Sequence, residues 1–231
     1  MRVLEKINPE IVESLNLFKD WVFRPEIQES LRGEISKNKY ELYDGGQSEA
    51  STSLEYLSSL DHKRHDGYPP ELRGLDLNYD TVKKLDHGFD DAFVNEIRDI
   101  NFKTDSLLQI YLGAKISALK AFYPEQGYIA WHTNWNAPGY NIIFTYSPTG
   151  SGYWRHIDPT NATSITPTPE NMVHISDTPG WHCKVGYFGS QTETNKLVWH
   201  SAYTNEPRVT LAYLIYEENI WKDIVKEIEE A

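Results

Sequence analysis

Apolar residues recur at three- and four-residue spacing through the first half of the chain and at alternating positions through much of the second. The first pattern predicts helices and the second predicts strands. "NPEIVESLNLFKDWVF" (8–23) opens with Asn8 as a cap and Pro9 at the first helical position, and it carries Ile11, Leu15, Phe18 and Val22 along one stripe. "SEASTSLEYLSSL" (48–60) gives a weaker helical signal, and 79–100 reads as one helix or as two broken at Gly88. "TDSLLQIYLGAKISALKAFYP" (104–124) gives the clearest: Thr104 as cap, Leu108, Leu112, Ile116 and Leu119 on one face, and Pro124 as the stop.

From Gly127 the texture changes. Short β-rich runs at 127–133, 140–147, 152–157, 171–175, 181–188, 196–203 and 208–216 are separated by Pro, Gly, Asn and Thr clusters such as "SPTGSG" and "DPTNATSITPTPEN". Strands of this kind without intervening helices predict a sandwich or barrel. The expected class is α+β in one domain, 1–231. Its parts are a helical portion (1–126), a β core (127–217) and a closing helix (218–231).

Strand parity sorts the side chains. In "YIAWH", Tyr128, Ala130 and His132 share a face; in "KLVWHSA", Val198, His200 and Ala202 do; in "RVTLAY", Arg208, Thr210 and Ala212 do. Two histidines and an arginine are therefore expected inside one β-shell. A buried arginine must meet an anion or bear a heavy loss of hydration. Thr210 and Ala212 are small enough to leave space for a ligand. His156, His174 and His182 show no metal-ligand spacing and read as structural or exposed, and His62 and His65 fall in "DHKRHDGYPPELR" (61–73), a solvated loop or a loop over a substrate mouth.

Composition narrows the function classes. A net charge of −12 without a basic stripe disfavours nucleic acid. No apolar run is long enough to span a membrane, and the opening "MRVLEKINPEIVES" lacks the form of a secretory signal. The single Cys183 excludes a disulfide framework and a Cys-rich zinc site. A cytoplasmic protein is expected, in the host cell's cytoplasm if phage-encoded.

The His-x-Asn pair, the distant second histidine and the arginine eight residues beyond it resemble the iron(II)/2-oxoglutarate dioxygenases from Gly127 to about Glu217. More narrowly, "WHTNWNAPGYNIIFTYS…GYWRHIDP…LVWHSAYTNEPRVTLAY" is similar to oxygenase-like proteins of bacteriophage genomes, often labelled prolyl-hydroxylase-like, which carry His-Thr-Asn, a Pro-Gly turn and an aromatic-Arg-x-x-Asp-Pro stretch. The resemblance implies a double-stranded β-helix (jelly-roll) core. It implies Fe(II) held by His132, Asn134 and His200, and 2-oxoglutarate held by Arg208, Thr210 and Tyr146. The implied reaction is hydroxylation of an amino-acid, peptidyl or small-molecule substrate.

Asn134 departs from the family's aspartate. It either ligates through a neutral oxygen, or stands back as in the halogenating branch, or yields its role to another carboxylate such as Asp158; a non-catalytic β-barrel binding protein is the alternative of a different class. Neither substrate nor oligomeric state is legible.

Overall fold

The computed structural model describes residues 1–37, 49–84, 87–113 and 116–230. Its strands are β1 (Arg2–Val3), β2 (Leu72–Arg73), β3 (Leu75–Asp76), β4 (Ile116–Tyr123), β5 (Tyr128–His132), β6 (Gly139–Ser147), β7 (Gly152–Ile157), β8 (Met172–Ser176), β9 (Gly180–Phe188), β10 (His200–Thr204) and β11 (Arg208–Ile215). Six α-helices are found among the described residues: α1 (Pro9–Val22), α2 (Pro25–Lys37), α3 (Leu54–Ser59), α4 (Tyr79–Lys84), α5 (Asp91–Leu112) and α6 (Glu218–Glu229). None of these helices is long and apolar enough to cross a membrane.

The strands form two antiparallel sheets, in the orders β1-β9-β6-β11-β4-β3 and β2-β5-β10-β7-β8. Helices α1, α2, α4, α5 and α6 cover the outer face of the six-stranded sheet. Ile11, Leu15 and Phe18 of α1 and Leu108 of α5 join Phe122, Phe144, Val185, Val209 and Leu211 of the strands in one buried cluster. A second cluster, with Ile143, Phe188 and Ala212 from one sheet and Trp154 and Ala202 from the other, fills part of the space between the sheets. Trp131 and Trp199 lie on the far side of the five-stranded sheet, against Leu57 of α3.

Helix α1 begins as its sequence requires: the Asn8 side chain accepts the Glu10 amide at 3.0 Å, and Pro9 takes the first position. The 79–100 stretch forms α4 and the start of α5, separated in the region of Gly88; Leu85 and Asp86 lie outside the described residues, as does Ser48 of the weak 48–60 helix.

The expectation of a helix over 104–124 is corrected. Thr104 is buried in the middle of α5, whose cap is Asp90, and the helix ends at Gly113, at φ 59° in the left-handed region, with its amide on Gln109 O. Residues 116–123 form β4, paired with β11 from Arg208↔Tyr123 to Leu214↔Ile116. The helical spacing of Leu108 and Leu112 thus runs by coincidence into Ile116 and Leu119, which belong to a strand. Residues 114–115, inside the expected helix, and Ala231, at the end of the expected closing helix, lie outside the described residues.

Candidate metal and anion site

His132 closes β5 and His200 opens β10, and the two residues are directly opposed in the ladder. Between this pair and Ala202↔Ile129 the register shifts by one residue. This bulge corrects the expected parity of β5. Ile129 packs with the cluster between the sheets, while Tyr128 turns to the far side beside Tyr153 and Tyr203. His132 keeps its expected face because it lies beyond the irregularity.

The two imidazole rings have centroids 4.0 Å apart. His132 Nδ1 lies 2.8 Å from Ala130 O and His200 Nδ1 lies 3.0 Å from Val198 O. A carbonyl only accepts, so each Nδ1 carries the proton and each Nε2 presents a lone pair. Burial pushes the pKa of His132 well below the usual histidine range, with a further lowering from His200, and burial holds His200 down at about 4. Both rings are therefore neutral near pH 7, the form a metal ion binds.

Asn134 follows directly, half-buried and at φ 59°. Asparagine tolerates the left-handed conformation better than most residues. Its amide donates to Gly67 O at 2.9 Å, which docks the 61–73 loop against this corner. Gly67 itself sits at φ 91°, where a Cβ would come within 2.7 Å of Asn136 Oδ1 and 2.8 Å of Trp135 Cδ1. The same loop lays His65 against Trp199 and Trp135, with ring centroids 4.6 and 5.1 Å apart.

Among the described residues, no three His, Cys, Asp or Glu side chains gather closely enough to hold a metal. Asp158 is exposed and accepts from the Thr160 amide and hydroxyl at 2.9 and 2.6 Å. The donors brought together at this corner are thus two neutral imidazoles, with Asn134 two residues beyond His132 in the chain. They suit a divalent metal whose charge is balanced by an anionic co-ligand, since softer nitrogen donors alone carry no charge.

The second part of the site lies toward the other end of β10. That strand runs from His200 to Thr204, and a short turn carries the chain to Arg208 at the start of β11. Arg208 is 2% exposed, and its face of β11 is shared by Thr210 and by Ala212 of the cluster between the sheets. The anion it meets is internal. Asp177 Oδ1 accepts from Arg208 Nη2 at 3.2 Å, and Oδ2 lies 3.0 Å from Nε. The Nε contact is an ion pair whose N–H is not aligned for a hydrogen bond. His182 Nε2 stands 3.1 Å from the same carboxylate.

Burial alone would raise the Asp177 pKa; the charge of Arg208, with His182 and Lys184, outweighs it and holds the carboxyl at about 2. Lys184 is fully enclosed, and burial together with the Arg208 charge lowers it to about 7. A chain of contacts crosses the sheet: Thr210 Oγ1 to Thr145 Oγ1 at 3.5 Å, and Lys184 Nζ to Thr145 Oγ1 at 3.5 Å.

Of the six residues read from the sequence, the fold pairs His132 with His200 and sets Asn134 beside them. It places Arg208 and Thr210 together deeper between the sheets. Tyr146 is not brought there: it lies on the helix-covered face of β6, against Phe23 and Trp181 with centroids 5.4 Å away in each case. Thr145, one residue earlier, takes the inner face instead. Two polar residues of this interior, Asp177 and Lys184, were not singled out, and His156 and His182, expected to be structural or exposed, are both buried. His156 is opposed to His200 across the β7 ladder, and Asp177 and His182 sit beside Arg208. Alternation in "WHCKV" places His182 and Lys184 on one face, and this was the available signal.

No family model matches the chain, and no curated protein sequence matches it. Among solved structures, it is similar to a prolyl hydroxylase in complex with a hypoxia-inducible factor oxygen-degradation-domain peptide fragment from Trichoplax adhaerens. That match has 12% identity and a TM-score of 0.35, covering 76% of this chain and 79% of that one. It is also similar to a prolyl-4-hydroxylase of Pseudomonas putida, at 12% identity and a TM-score of 0.31, covering 74% of this chain and 88% of that one.

Proposed function

We propose that the chain is an iron(II)- and 2-oxoglutarate-dependent oxygenase acting on an amino-acid, peptidyl or small-molecule substrate. Its core would be a double-stranded β-helix over 127–217, extended by β4 and joined with the helical 1–126 portion and the closing helix in one domain. The observation that carries this reading is the neutral His132–His200 pair on adjoining strands, with a buried cationic cluster further along the same interior. Iron bound at the pair would supply the chemistry 2-oxoglutarate + O2 + R–H → succinate + CO2 + R–OH.

The chain's own residues do the rest. Ala130 O and Val198 O fix the tautomer and orientation of the two rings, so that Nε2 of each is presented without rearrangement. Asn134 offers a neutral oxygen beside them, leaving negative charge to be brought by the keto acid. Arg208 and Thr210 line the deep end, where the distal carboxylate is received. Phe188, 4.7 Å from the His200 ring, and Trp154, 5.7 Å from it, keep water from that side of the pair.

The absence of a carboxylate at the pair, among the described residues, favours one second reading: a halogenase-like variant in which Asn134 stands back and an anion takes the open position. Succinate formation from 2-oxoglutarate, dependent on iron(II) and oxygen and lost in His132→Ala, is the expected result under both readings. Chloride incorporation into product separates them. Absence of succinate formation across substrate libraries, together with unchanged metal affinity in His132→Ala, contradicts both.

A further inference from the structure

Strand β1 is two residues long and lies on the edge of the six-stranded sheet, with Arg2 opposite Val185 and Val3 opposite Lys184. The next step of the same register sets Met1 against Gly186. Val185 belongs to the helix-covered cluster, so alternation turns Gly186, like Lys184, toward the space between the sheets. Met1 follows it there. Its side chain lies across Gly186, where a Cβ would collide with Sδ and come within 3.4 Å of the Met1 Cα. Met1 is partly buried against the cluster that contains Phe188 and Trp154, the two rings beside His200. A bare glycine surface and an aromatic wall thus form an apolar subsite near the histidine pair, and an unbranched thioether fills it.

This occupant is held lightly. The Arg2 guanidinium meets Glu229 at 3.0 and 3.3 Å, but at the surface, with 57% of the arginine side chain exposed; such pairs contribute little. Val3 is 42% exposed. The first anchored residue is Leu4, buried, with its amide on Cys183 O at 2.9 Å. Residues 1–3 can therefore leave β9 without disturbing the core. They vacate a strand edge, an apolar subsite and the Glu229 carboxylate. Any extended peptide can pair with a strand edge, and its side chains decide which peptide is taken. The net charge of −12 adds attraction for a basic one.

We propose that β1 is an internal stand-in for substrate, and that the substrate is an extended peptide carrying an unbranched apolar side chain followed by a basic residue. Such a peptide replaces residues 1–3 on β9, lays its apolar side chain over Gly186 and sets its basic residue against Glu229. This rests on the reading of the His132–His200 pair as an oxygenase centre, which makes the neighbouring subsite one for substrate.

The test uses the full chain and the peptide acetyl-norleucyl-arginyl-valyl-leucinamide, in which norleucine copies the shape of methionine without its sulfur. Hydrogen peroxide converts an accessible thioether to the sulfoxide, and mass spectrometry of a digest reads Met1 and Met172, the two methionines, separately. Saturating peptide is expected to speed Met1 oxidation about tenfold, as release of a locally held segment predicts. Met172, packed beside Trp131 and Trp199 on the far side of the other sheet, is expected to be unaffected. The same peptide with aspartate for norleucine is expected to have no effect. Gly186→Val, which fills the subsite, is expected to expose Met1 without peptide and to abolish the response. Should that variant fail to fold, Arg2→Glu, which sets two carboxylates side by side, is expected to speed Met1 oxidation without peptide. Met1 oxidation that ignores the norleucyl peptide, or responds equally to the aspartyl one, overturns the proposal and leaves the metal reading standing. With iron(II), 2-oxoglutarate and oxygen added, the norleucyl peptide is expected to gain one oxygen as succinate forms. Displacement of Met1 without that gain overturns the substrate assignment. The anaerobic charge-transfer band of iron(II) with 2-oxoglutarate then separates the two failures: if present, the proposal alone falls, and if absent, the oxygenase reading falls with it.

Discussion

Replacing Asp177 by Asn tests the charge balance on which the deep end of the site depends. The Asp177 side chain is 0% exposed and is the carboxylate for a buried Arg208, with contacts of 3.0 and 3.2 Å, and for His182 at 3.1 Å. Asparagine keeps the shape and removes the charge, leaving the enclosed Arg208 guanidinium unopposed. Breaking one partner of a buried pair costs about 3–5 kcal/mol. Linkage gives a lower bound: a carboxyl moved from 3.8 to about 2 contributes about 2–3 kcal/mol. The sign follows from the lowered folded-state value. The contribution is fully present above pH 3.8 and is lost as pH falls towards 2. Urea unfolding followed by fluorescence of the 7 tryptophans is the assay. With a slope of about 3 kcal/mol per molar urea, the midpoint at pH 7 should fall by about 1 M. The difference between wild type and variant should close below pH 3.8. A pH 7 midpoint unchanged within error would refute the pairing.

Two further perturbations address the rest of the interior and the loop. His182 is lowered from 6.5 to about 4, first by burial; the folded state then binds fewer protons than the unfolded state, so stability is lost as pH falls from 6.5 through 4. The wild type should lose about 3 kcal/mol more than His182→Gln over that window by urea unfolding, and parallel curves would contradict the burial. Gly67→Ala places a side chain at φ 91° against Asn136 and Trp135. A cost of about 1–3 kcal/mol is expected, with faster proteolysis within 61–73; an unaltered melting curve and cleavage rate would show that the loop is not docked on Asn134.

The helices and strands were legible where local periodicity and tertiary environment agree, as at α1 and β11. They were not legible at 104–124, where helical spacing of leucines continued across Gly113 into β4. A left-handed glycine ended the helix there, and long-range pairing with β11 decided the rest, neither of which periodicity measures. The inward face of His200, Arg208 and Thr210 followed from alternation alone. Alternation failed for Tyr128 because a bulge inserts one residue before His132; Tyr146 was implied only by the family resemblance, and the phase of β6 relative to β5 depends on the turn between them. That Arg208 must meet an anion followed from desolvation; that the anion is Asp177, 31 residues away in sequence, followed only from the turn between β8 and β9. Helix α2 was legible but unread, with Pro25 at its start and Ile27, Leu31 and Ile35 at helical spacing, whereas the burial of His156 comes from packing against neighbouring strands.

The account rests on a metal held by His132 and His200 with room for a chelating keto acid. Its most direct test is the visible absorption spectrum of the protein mixed anaerobically with iron(II) and then 2-oxoglutarate. A metal-to-ligand charge-transfer band that appears only with both components, and is lost in His132→Ala and His200→Ala, is the predicted result. A featureless spectrum at concentrations where the protein remains folded would contradict the account.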